Sequence, residues 1–160
     1  MVTTVNTTTG DTIVVKVGSS LLVGEDGQAR RDWLKTLVSD IAKRHRAGDN
    51  IIIVSSGSIA LGARKLGLDK GGRASLAEAQ AAASVGQIAL SSLWSELLAE
   101  HQIAAAQMLL TLDDMEDRKR YLNATATLEK LLEHRAIAVI NENDSVATDE
   151  IRFGDNDRLA

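Results

Sequence analysis

The 160-residue chain has no cysteine and no proline, and its only aromatic residues are two Trp, one Tyr and one Phe. Without cysteine there is no disulfide, no thiolate zinc site and no cysteine nucleophile. So few aromatic rings give no platform on which nucleic-acid bases stack. The net charge is −4 and no extended run of Lys and Arg occurs, so neither nucleic acid nor an anionic membrane surface is an expected partner. No apolar stretch approaches the ~20 residues of a membrane-spanning helix. Residues 1–10 lack the basic start and apolar centre of a secretory signal. A disordered polar tail is expected there, and the cytoplasm is the expected compartment. Internal repeats, low-complexity segments and linkers are missing too. Nothing in the pattern accounts for the absence of proline.

The composition that remains is that of one globular domain, 44% hydrophobic and 25% charged. A chain of this size buries roughly 68–70% of its unfolded surface. Four apolar runs of strand length stand out, at residues 12–17, 51–54, 104–110 and 136–140. Three are continuous, as strands covered on both faces are, and Gln107 interrupts the third. Helical spacing lies between them. Trp33, Leu34, Leu37, Val38 and Ile41 share one face, with Gly48 as a stop. A shorter helix follows Gly57 and runs to Leu66. Ser75 with Glu78 reads as a capping box opening a long Ala-rich helix to about residue 98. Residues 122–134 form a last helix with Leu128, Leu131 and Leu132 inward. Strands alternating with helices predict an α/β three-layer sandwich around a mainly parallel sheet.

Ligands of such sheets bind beyond the carboxyl ends of the strands. Here those ends are followed by Gly18-Ser19-Ser20, Ser55-Ser56-Gly57-Ser58, Thr111-Leu112-Asp113-Asp114 and Asn141-Glu142-Asn143-Asp144. All four are small or polar. Lys16, flanked by valines in the first run, is costly to bury unless paired. Either it blunts a sheet edge or it reaches phosphate oxygens over the mouth. In the second case the N–H groups after Gly18 and Ser19 approach the same phosphate. The serines around Gly57 either cap a helix or meet a ligand carboxylate. Gly57 and Gly62 have Walker A spacing, but Ala63-Arg64 stands where Lys-Ser/Thr is required, and no Gly-x-Gly-x-x-Gly occurs. Asp113 to Arg120 most simply forms a solvated helix with i,i+3 and i,i+4 ion pairs. His45, His101 and His134 fall near helix ends, away from the mouths, and form no metal cluster. The fourth mouth is followed by Gly154-Asp155-Asn156-Asp157. Amides and carboxylates gathered this way hold the ammonium of an amino acid or orient a cationic catalytic residue.

Five segments, 12–20, 53–60, 107–118, 139–144 and 153–157, together resemble the glutamate 5-kinases, a branch of the amino acid kinase family. The resemblance implies that ATP phosphorylates the side-chain carboxylate of L-glutamate to glutamyl 5-phosphate, the first step toward proline. It also implies Mg2+, a homo-oligomer and feedback inhibition by proline. Residue by residue, Lys16 matches the lysine at the transferring phosphoryl group, with Gly18 and Ser19 beside it. Ser56, Asp144 and Asn156 match glutamate-binding positions, with Gly57 and Asp155 next to them. Asp157 matches the aspartate that organises the catalytic lysines. These residue types suit a reaction that depends on positioning and on positive charge spread over phosphoryl oxygens. The family's nucleotide-binding half, with its second catalytic lysine, has no match in these 160 residues. The chain alone is therefore expected to be inactive. The alternative is a non-catalytic amino-acid-binding or oligomerisation module.

Overall fold

A computed structural model describes residues 10–146. Residues 1–9 of the tail expected at 1–10 and the cluster Asp155, Asn156 and Asp157 lie outside the described residues. Four strands, β1 (Thr12–Val17), β2 (Asn50–Ser55), β3 (Ala105–Leu110) and β4 (Ile137–Glu142), form one sheet in the order β1-β2-β4-β3. Every pairing is parallel. Among the described residues six α-helices connect and flank them: α1 (Ser19–Leu22), α2 (Arg31–Arg46), α3 (Ser58–Leu66), α4 (Leu76–Ala99), α5 (Leu112–Glu116) and α6 (Arg118–Glu133).

The register divides the strands into two faces, because successive side chains point to opposite sides. Lys16, Val54, Ile140 and Met108 lie in one row. That face packs Ile52, Val54, Met108, Ala138 and Ile140 under α6. The other face packs Val17, Ile51, Ile53, Ile137 and Val139 against α2 and α4, with Trp94, Leu90 and Leu34 at its centre. Helices on both faces make the expected three layers.

Two helices touch almost without side chains between them. A Cβ on Gly62 of α3 would lie 1.8 Å from the Ala82 carbonyl oxygen, and one on Gly86 of α4 would lie 1.6 Å from the Ser58 carbonyl oxygen. Only glycine permits that approach, and it sets the start of α3 directly against the middle of α4. The N-terminus of α4 is capped at Ser75, whose hydroxyl accepts from the Glu78 N–H at 3.2 Å, one half of the expected capping box.

At the amino ends of the strands, Arg135 ties the chain together. Its guanidinium donates to the carbonyls of His45, Gly48 (3.2 Å) and Asp49 (3.0 Å), and to Asn50 Oδ1 (3.3 Å). Those carbonyls belong to the end of α2 and the turn after it, where a helix leaves acceptors without partners.

Several expectations are corrected. β1 is an edge strand among the described residues, not a strand buried on both faces, so Val14 is 44% exposed and Lys16 is exposed. Trp33 is 39% exposed rather than inward. β4 runs on to Glu142, two residues past its apolar run. α6 begins at Arg118, and the single solvated helix at 113–120 is instead two, broken at Asp117. An ion pair there joins Asp114 to Arg120 at 3.1 Å, across the break between the two helices.

Candidate functional site

The carboxyl ends of β1, β2 and β4 are neighbours, and the polar loops after them converge. Lys16 is the penultimate residue of β1 and lies beyond the cover of α6. Gly18 follows with extended backbone and open space where a Cβ would stand, so the turn itself does not demand glycine. Its carbonyl accepts the N–H groups of Leu21 and Leu22, and Ser19 opens the short α1. Ser56 continues the β1–β2 ladder through its N–H to Val17 O at 2.9 Å.

Gly57 does need to be glycine. Its φ is 116°, and a Cβ would press to 2.9 Å from Leu22 Cδ2. The sharp turn brings the chain straight into α3, whose N-cap position makes no side-chain hydrogen bond. The N-cap is thus Gly57 and not a serine. Ser55, fully buried, accepts the Trp94 indole N–H at 2.9 Å. Ser58, also buried, donates its hydroxyl to Asp144 Oδ2 at 3.3 Å.

The third mouth is a tight acidic cap. Thr111 and Asp114 form a reciprocal capping box. The Thr111 N–H and hydroxyl, both at 2.8 Å, hold the Asp114 carboxyl below the usual carboxylate range, and Arg120 adds to the effect. The three histidines sit away from the mouths, as expected. His45 meets Arg135 O at 2.9 Å, and His101 accepts from Arg46 at 3.3 Å.

An open groove of about 610 Å³ runs from this site along α4. Ser58, Gln87, Gln107, Leu109, Asn143 and Asp144 are among the residues that line it. No group of three or more metal-ligating side chains occurs among the described residues. None of the described helices is long and apolar enough to cross a membrane.

Sequence comparison matches the profile of the amino acid kinase family to residues 11–160. The chain belongs to the amino acid kinase family. It is 72% identical over 148 residues to the glutamate 5-kinase of Novosphingobium aromaticivorans, an alignment covering 92% of this chain and 39% of that protein. The glutamate 5-kinases of Zymomonas mobilis (66% identical) and Sphingopyxis alaskensis (64%) are similar over the same share of the chain and over 37% and 40% of their own lengths. The chain thus spans about two fifths of the curated relatives it matches. The family resemblance carried by the five segments holds.

Of the candidate residues in this family member, Lys16, Gly18, Ser19, Ser56, Gly57 and Asp144 gather at the mouths of three adjacent strands. Sequence reasoning named Asn141 and Gln107 but missed Gln87 and the bonds that join the three beneath the mouths. Asn141, only 1% exposed, donates to Gln87 Oε1 at 2.8 Å, and Gln87 donates to Gln107 Oε1 at 3.0 Å. Gln107 gave one signal, as the polar break in an apolar strand. Gln87 gave another, as a polar residue in a helix with no charge between Glu78 and Glu96.

Proposed function

We propose that the chain forms the acceptor side of a cytoplasmic kinase that transfers the γ-phosphoryl group of ATP to the side-chain carboxylate of L-glutamate, at the entry to proline biosynthesis. The observation that supports it best is the convergence of Lys16, Ser56 and Asp144 at the carboxyl ends of three adjacent parallel strands. Asp144 pairs with the substrate ammonium. Ser56 and the Gly57 turn receive its α-carboxylate. Lys16 meets the negative charge of the transferring phosphoryl group, where positive charge lowers the barrier most. The substrate carboxylate is already a nucleophile and needs no strong base. Asp155 and Asn156 complete the amino-acid pocket, and Asp157 orients Lys16. Magnesium enters with the nucleotide phosphates, since that ion is usually held by one or two carboxylates plus phosphate oxygens. Feedback inhibition by proline and a homo-oligomeric assembly belong to the same proposal.

The test is a titration of the 160-residue chain with L-glutamate, followed by calorimetry or amide chemical shifts. Saturable binding is expected. Asp144→Ala removes a charge-assisted, partly desolvated pair and should weaken it roughly 30-fold or more, at ~1.4 kcal/mol per decade. Absence of saturable binding, or unchanged affinity in Asp144→Ala, sinks the proposal.

A further inference from the structure

We infer that Gln87, on α4, is a positioning residue that sets the orientation of the Asp144 carboxylate through a one-way chain of hydrogen bonds. The inference rests on the proposed role of Asp144 as partner of the substrate ammonium.

The chain starts at Gln107 Oε1 on β3, which accepts from Gln87 Nε2 at 3.0 Å, while the single Ser91 hydroxyl proton is shared between Gln107 Oε1 and the Gln87 carbonyl oxygen. Donation to Gln107 sets which way the Gln87 amide points. With its nitrogen turned to Gln107, its oxygen faces β4 and accepts Asn141 Nδ2 at 2.8 Å. Asn141 therefore presents its NH2 group, and the same nitrogen reaches Ser58 Oγ at 3.4 Å. A hydroxyl that accepts there has its own proton to give elsewhere. Ser58 gives it to Asp144 Oδ2 at 3.3 Å. Every link has one direction, and the direction is set at Gln87.

Both ends of the chain are held. Asn141 and Ser58 are buried, where an amide or hydroxyl in the wrong orientation is costly. The backbone contact at Gly86 places Ser58 of α3 one residue from Gln87. A side chain that donates and accepts at once is what the position requires. Among uncharged residues of this length only glutamine supplies both functions in a fixed plane. The last two links are long for hydrogen bonds, and links of this kind tighten when the substrate arrives. An ammonium at Asp144 would draw the carboxylate into its final plane against the Ser58 hydroxyl.

The experiment compares two ligands on the 160-residue chain. L-Glutamate carries the ammonium; glutarate is the same dicarboxylate without it. Gln87→Met keeps length and helix propensity but breaks the chain at Asn141. It should weaken L-glutamate roughly tenfold and leave glutarate within about twofold, because only the ammonium uses the oriented carboxylate. Gln87→Glu keeps an oxygen opposite Asn141 and should restore L-glutamate affinity to within about threefold of the original. Equal losses for the two ligands in Gln87→Met mean a general loss of structure, and the inference fails. Unchanged L-glutamate affinity in Gln87→Met, or no rescue by Gln87→Glu, also overturns it while leaving the proposed function standing. If the unaltered chain binds no L-glutamate, the proposed function fails first and takes the inference with it.

Discussion

The two faces of the sheet are covered by helices of opposite character. α4 is uncharged from Ala79 to Ser95 and buries Leu90, Leu93, Trp94, Leu97 and Leu98. α6 carries Arg118, Lys119, Arg120, Glu129, Lys130 and Glu133, and none of its residues is fully buried. Its Ala124, Leu128, Leu131 and Leu132 are only half covered against the sheet. The α4 face is closed, and its polar groups are drawn into hydrogen bonds with one another. The α6 face stops short of β1, leaving Val14 and Lys16 toward solvent. One face supplies stability and orientation. The other leaves open space beside the strand mouth.

Breaking the closed face should cost most. Gly86→Val drives a Cβ into the Ser58 carbonyl, which is backbone and cannot move aside. A loss beyond about 4–5 kcal/mol is expected, seen as the absence of a cooperative thermal transition. A normally folded Gly86→Val protein would refute the close helix contact. Next comes a matched pair. Trp94→Ala, on the closed face, should cost about 3–5 kcal/mol in chemical denaturation, whereas Leu128→Ala on α6 should cost about 1–2 kcal/mol, below the fully buried range. Equal losses would erase the contrast between the faces.

A smaller effect sharpens the polar side of the comparison. Ser55→Ala leaves the buried Trp94 N–H without its acceptor and should cost about 1–3 kcal/mol. The smallest effect lies at the rim of the closed layer. Burial pushes the His45 pKa below its ordinary 6.5, and the Arg135 and Arg46 guanidinium groups push the same way against the opposing backbone hydrogen bond. The unfolded chain then takes up this proton more readily than the folded one. His45 therefore supports the fold fully above pH 6.5, and that support is lost as pH falls through the lower folded value. His45→Gln should flatten the pH dependence of the thermal midpoint between about pH 7 and pH 5. An unchanged slope contradicts it.

Most of the closed face could be read in advance. Strand positions agreed to within two residues, because apolar runs ending in small polar loops have few other uses in an α/β chain. Edge position could not be read. A run such as Thr12–Val17 looks the same whether one neighbour or two will cover it, so the sequence left Lys16 open between a sheet edge and a strand mouth. Asn141 looked like the start of a loop because it is polar. It is instead the fifth residue of β4, made tolerable by an amide partner 54 positions away on α4. No local pattern encodes such a pairing. Charge spacing misled at 113–120 for the same reason. Helix pairing rules were visible, while the caps at Thr111 and Asp117 that divide the segment depend on backbone geometry.

The glycine contact between α3 and α4 has a consequence for how the molecule moves. Helices separated by side chains can slide by small rotamer changes, one packed row at a time. Here carbonyl oxygens rest against glycine backbone, and no soft layer lies between. α3 and the middle of α4 therefore open to solvent together or not at all, as one cooperative unit with a shared rate of amide hydrogen exchange. Any closing motion of the strand mouths has to hinge elsewhere and carry this pair through it intact.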